Sequence, residues 1–296
     1  MEQNTVNDKH KDRLFRALFG DAKRKKNTLE LYNAVNNSSY TNEDDIILTT
    51  IEDAIYLGMQ NDVSFVIAST MNLYEHQSKY NPNMPVRGLM YFGKLYAKYI
   101  ESHKELHPFS TKKMRLPTPK YVVFYNGKQE AEDRVELKLT DSFAYPKESC
   151  VEVTATMLNI NHGRNRALME KSKTLREYAY FIELVRENAK ELTLQEAVEK
   201  AVDQCISEGV LKDYLAVHKA EVIGMLTKEY SETEIAEMFY DEGLGKGRKE
   251  GGDDLADLYN TLKSDGRNAE AERLMTDASY RSKMLAEHYG RVLEAE

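Results

Sequence analysis

Apolar and polar positions change period several times along this chain. Leu14, Phe15, Leu18 and Phe19 recur at helical spacing, and LELYNAV continues the pattern after the basic run Lys23 to Lys26, so residues 9–37 are expected to open the fold as helix. TNEDDIILTTI has an acidic start and a β-branched body, which predicts a short strand around Ile46 to Ile51. The stretch DVSFVIASTMNLYEHQ, Asp62 to Gln77, reads as a hairpin of two apolar strands turning at Ser69 and Thr70. A proline turn, Asn81 to Pro85, then introduces a helix from Val86 to about Leu106, with Pro108 just beyond it. YVVFYNG at 121–127 predicts a buried strand, and RVELKLTDSF and CVEVTATMLNI alternate as two more. After about Arg164 the segments LMEKSKTLREYAYFIELVREN, LQEAVEKAVDQCISEG and DYLAVHKAEVIGMLTKEY are each amphipathic at helical period.

That order predicts an α/β fold: a mixed sheet flanked by helices, followed by an all-helical C-terminal region. The expected organisation is a sheet-bearing domain over residues 1–165 and a helical extension over 166–240. A Gly-rich linker follows over 241–254, where DEGLGKGRKEGGDD holds five glycines, and a small helical unit closes the chain over 255–296. No Gly-Lys-Ser/Thr follows those glycines and no strand precedes them, so they do not read as a phosphate loop.

At 296 residues, 41% hydrophobic and 30% charged, the chain has the composition of a folded soluble protein. It has neither an apolar run of the roughly 20 residues a membrane span needs nor a secretory start. Cys150 and Cys205 lie far apart, as free thiols in a reducing compartment would, and a cytoplasmic location away from membranes is expected. The net charge of −8 conceals one basic region. Lys79 to Lys128 holds ten basic residues against Glu101 and Glu105, a local +8 directly after the hairpin.

A two-residue turn at Ser69-Thr70 pairs Ala68 with Met71. It places Asp62, Ser64, Glu75 and Gln77 on one face, with Asp62 and Glu75 as diagonal neighbours and His76 on the other face. Two carboxylates held close repel unless a cation joins them, and a hard ion such as Mg²⁺ takes oxygen ligands and keeps several waters. Gln77 is suited to orient water or a phosphate oxygen, not to act as a base. Arg87, Tyr91, Lys94 and Lys98 recur four, three and four apart as one stripe of the following helix, with Val86, Leu89, Met90, Gly93, Tyr96, Ala97 and Ile100 expected on its buried side. A cationic stripe beside carboxylates suits a phosphodiester substrate. His103 and His107 are four apart, as a zinc pair would be, yet Pro108 follows and no third ligand is evident. His162, beside Arg164 and Arg166, is a further place for a phosphate contact.

These residues resemble a known family. A strand that begins with Asp, then a Glu-x-(Lys) strand and a helix, is similar to the core of PD-(D/E)XK nucleases. The YEHQS segment at 74–78, the VRGLMYFGKLY helix and the LPTPKYVVFYNG strand resemble the Rpn group of recombination-promoting nucleases and transposase-like proteins over roughly residues 10–165. The resemblance implies a restriction-endonuclease-like mixed sheet and Mg²⁺- or Mn²⁺-dependent cleavage of double-stranded DNA. It implies Asp62 and Glu75 as metal ligands and catalytic residues, with Gln77 where the usual Lys stands and Asn61 where the motif has Pro. Arg87, Lys94 and Lys98 would hold the nucleic acid, and Glu30 is a further acid to consider. The helical region from 166 onward would regulate the enzyme or form a homodimer. A non-catalytic nuclease-fold module that binds DNA or a protein partner is the alternative.

Overall fold

The computed structural model describes residues 8–49, 62–227, 255 and 258–289. These fall into two compact units, one within residues 8–227 and one within 255–289. The expected linker at 241–254, the last residues of the helical extension and Asn61 lie outside the described residues.

The first unit opens with α1 (Asp8–Phe19) and α2 (Lys25–Asn36). Leu14, Phe15, Leu18 and Phe19 are all buried, as their spacing predicts. The short strand β1 (Ile47–Leu48) follows, then β2 (Val63–Ile67), β3 (Thr70–Gln77), α3 (Met84–Ser102), β4 (Thr118–Tyr125), β5 (Arg134–Lys138) and β6 (Thr154–Asn159). Four helices complete it: α4 (Arg166–Lys171), α5 (Lys173–Asn188), α6 (Leu194–Glu208) and α7 (Lys212–Thr227). The strands form one six-stranded mixed sheet in the order β1-β2-β3-β4-β6-β5. β2 and β3 are an antiparallel hairpin, whereas β3, β4 and β6 run parallel.

Each sheet face has its own apolar core. Val63, Phe65, Tyr74, Phe124 and Leu158 pack with helices α1, α2 and α5–α7 on one face. Met71, Leu73, Tyr121, Val123, Tyr125 and Met157 pack with α3 on the other. Helices α4–α7 therefore share a core with the sheet. Their ends follow capping chemistry. Ser172 caps α5 by accepting from the Leu175 amide, and Thr193 and Glu196 form a reciprocal capping box on α6. In the second unit Leu258, Leu262, Ala271, Leu274 and Leu285 form a separate small core, and Glu270 accepts from Arg267 and Tyr280.

The hairpin turns one residue earlier than its pattern suggests. Ile67 pairs with Thr70, so Ala68 and Ser69 form the turn, with φ of 47° and 60°. A turn at Ser69-Thr70 would have forced the β-branched Thr70 to positive φ, which is costly. Thr70 instead starts β3, and its hydroxyl donates to the Ile67 carbonyl at 2.7 Å. Two L-residues at positive φ carry strain that Asn-Gly would not. Replacing Ala68-Ser69 by Asn-Gly is expected to stabilise the protein by about 1 kcal/mol, read as a raised urea midpoint. An unchanged or lowered midpoint would contradict the turn.

Candidate active site

The earlier turn shortens the path between the two acids. Val63 pairs with Tyr74, so one further step in that register sets Asp62 opposite Glu75 instead of diagonal to it. Shared-face parity is unchanged, because the register shifts by two positions. The Asp62 amide donates to Glu75 Oε1 at 3.1 Å, and the His76 amide donates to Asp62 Oδ2 at 2.7 Å. Glu75 is 1% exposed and Asp62 7%. The sequence-predicted pair is brought together and lies inside the protein.

Two arginines answer the buried charges. Arg87 Nη2 donates to Glu75 Oε2 at 2.8 Å and to the Tyr91 hydroxyl at 3.1 Å. Arg16 of α1 approaches Asp62 Oδ1 at 3.5 Å. Burial alone would lower the pKa of the Arg87 guanidinium, but the neighbouring Glu75 charge holds it above its ordinary value. Tyr91 is pushed up to about 12, first by burial and then by Glu75. Burial and Glu75 likewise raise Tyr121, whose buried hydroxyl has no hydrogen-bond partner among the described residues.

The α3 face differs from the expected one. Met84, Gly88, Tyr91, Phe92 and Leu95 are buried, whereas Leu89 and Met90 are 43% and 44% exposed and Gly93 and Ala97 face solvent. Arg87 and Tyr91 thus turn toward the sheet instead of forming an outer stripe with Lys94 and Lys98. The physical reason is the buried carboxylate: Glu75 requires a cation, and the rotation that delivers Arg87 also places Gly88 against β4. A Cβ at Gly88 would stand 2.5 Å from Tyr121 Cε1, so only glycine permits this approach. Lys94 is half-buried and Lys98 exposed. Lys98 follows Arg87 by eleven residues, about 16 Å along the axis.

Gln77 ends β3 on the same side as Glu75 and is half-buried. His76 points to the opposite face, as predicted, where Nε2 meets the Tyr178 hydroxyl at 3.0 Å. Glu30 lies elsewhere: its Oε1 accepts from the Ser172 hydroxyl and the Thr174 amide at the start of α5. His103 caps the end of α3 in extended conformation and stacks on Tyr99, so it and His107 do not share a helix. Arg164 and Arg166 pair with Glu130 and Glu170.

Sequence reasoning missed Arg16 and Tyr121. Arg16 lies between the buried pairs Leu14-Phe15 and Leu18-Phe19, so its helix position already put it at the edge of a core. Tyr121 alternates with Val123 and Tyr125, which gives its face, and Gly88 signals the close approach. Among the described residues no group of three or more His, Cys, Asp or Glu side chains could hold a metal ion, and no helix is long and apolar enough to cross a membrane. Cys150 and Cys205 are free thiols. Comparison with protein-family models, with curated proteins and with solved structures finds no match to this chain.

Proposed function

We propose that the first unit is a metal-dependent endonuclease acting on double-stranded DNA, built on a restriction-endonuclease-like version of its mixed sheet. The carrying observation is the pair of buried carboxylates, Asp62 and Glu75, linked across neighbouring strands beside Arg87. Their donor set is oxygen alone, which fits Mg²⁺ or Mn²⁺ retaining water in its other positions. When bound, such an ion supplies Lewis acidity toward a phosphoryl oxygen and a more acidic water.

The chain's own residues divide the remaining work. Asp62 and Glu75 hold the ion. Gln77 orients a phosphate oxygen through its amide and exchanges no proton. Arg87, a third exposed along its side chain, moves from Glu75 to the substrate phosphate and supplies the charge that a Lys at position 77 would otherwise bring. Lys94 and Lys98 continue along α3 toward the basic segment Lys104 to Lys120 and contact the DNA backbone without reading sequence. The resemblance of the hairpin, the α3 helix and the β4 strand to Rpn-type nucleases supports the same reading and a link to mobile-element recombination.

The second reading is a non-catalytic module that binds DNA or a protein partner. The two arginines favour it, because they already compensate both carboxylates and a cation would have to compete with them. Incubation with supercoiled plasmid separates the two. Nicking that requires Mg²⁺ or Mn²⁺, stops with EDTA and falls at least about a hundredfold in Glu75→Ala is the expected result. Confirmed DNA binding without cleavage in any metal would leave the second reading standing.

A further inference from the structure

The sheet face opposite α3 carries a different kind of chemistry. A cleft of about 540 Å³ opens there beside the end of α2 and the start of α4. Its floor is apolar, made by Val122, Leu158 and Leu168. Lys120 from β4, Arg134 from β5 and Lys171 from α4 line it, and none of its described lining residues is acidic. In a chain with 49 acidic and 41 basic residues, a lining of three cations and no acid runs against the background.

The register sets two of these cations on one face of the sheet. β6 lies between β4 and β5. Val122 pairs with Thr156 on one side of β6, and Arg134 pairs with Leu158 on the other. Lys120, two residues before Val122, therefore rises from the same face as Arg134, on the opposite flank of β6 and four positions away along it. Lys120 has no partner among the described residues. Arg134 is 3.5 Å from Glu136, and both are more than half exposed, a pair of little strength. Among the described residues Lys171 Nζ donates only to the Asn37 side-chain oxygen, at 2.7 Å.

We propose that this cleft binds a small organic phosphate of nucleotide size, with its anionic part among Lys120, Arg134 and Lys171 along the rim and its apolar part on the floor. Cations from three separate elements suit a tetrahedral dianion better than a carboxylate, which one arginine fork satisfies. The volume is that of a small-molecule site. The site is independent of Asp62 and Glu75, whose side chains lie on the other face.

Calorimetric titration of the full chain with inorganic phosphate and with AMP tests this. AMP is expected to bind at least about tenfold more tightly than phosphate, because only AMP uses the floor. A Lys120→Ala/Lys171→Ala variant is expected to lose at least about tenfold in AMP affinity, with an unchanged circular dichroism spectrum because both lysines are exposed. Lys200→Ala, on the surface of α6, should bind as the unaltered chain does. Absence of binding at millimolar AMP would overturn the proposal, as would AMP binding no tighter than phosphate or equal affinity in the double variant. Displacement of AMP by a short DNA duplex would assign the cleft to the polymer and overturn the small-ligand reading.

Discussion

Replacing Arg87 by Met is expected to destabilise the first unit by about 3 kcal/mol, the cost of leaving one member of a buried ion pair uncompensated. Glu75 is almost wholly enclosed, and Arg87 Nη2 at 2.8 Å neutralises it. Methionine keeps much of the arginine stem's apolar volume, so the loss reports charge more than packing. Adding Glu75→Gln to the same chain removes the stranded charge while leaving an oxygen for the Asp62 amide, and should recover most of the loss. Urea unfolding checks both, with stability read from the midpoint at constant slope. A cost below about 1 kcal/mol for Arg87→Met would place this pair in the range of exposed salt bridges and would contradict its enclosure under α3. Full cost in both variants would mean that the arginine stem, and not the ion pair, is what matters.

The strands and the pairing of acids were legible because they depend on short-range rules. Alternation in VSFVI and TMNLYEHQ fixes which residues share a face, and that conclusion survives an error in turn position so long as the register moves by two. The turn itself was misplaced because the apolar pattern is symmetrical about Ser69 and Thr70. What decides it is the cost of positive φ for a β-branched residue, a backbone term invisible to periodicity. The α3 face was misread for a related reason. Two stripes along that helix, one through Leu89, Met90 and Gly93 and one through Met84, Gly88, Tyr91 and Leu95, are both apolar enough to be buried. Composition alone favoured the stripe without Arg87. The outcome depends on a partner thirteen positions earlier than Gly88, the buried Glu75, and on the fit of a glycine to the Tyr121 ring. Arg16 reached Asp62 from a helix 46 residues away, and no local pattern encodes such a meeting. The cleft on the opposite face was illegible for the same reason, since Lys120, Arg134 and Lys171 belong to two strands and a helix that line one cleft only in the folded chain.

In the Arg87→Met variant, Mg²⁺ is expected to restore much of the stability that the substitution removes. Without Arg87 two buried carboxylates face each other and lose the guanidinium that neutralises Glu75, while Arg16 stays at 3.5 Å from Asp62. A divalent cation that binds the folded state alone stabilises it by RT ln(1 + [L]/Kd), about 2.7 kcal/mol at a hundred times its dissociation constant. In the unaltered chain the same ion must displace Arg87 from Glu75 first, so the shift per unit of Mg²⁺ should be smaller there. Thermal unfolding of both proteins across a Mg²⁺ series, with NaCl matched for ionic strength, separates site binding from screening. A larger midpoint rise in the variant, absent when Asp62→Asn is added, would identify Asp62 and Glu75 as a cation site gated by Arg87. Nuclease activity would then depend on substrate phosphate drawing that arginine away. Equal rises in both proteins, or none, would show that the carboxylates serve the fold through their arginines, and the non-catalytic reading would become the stronger one.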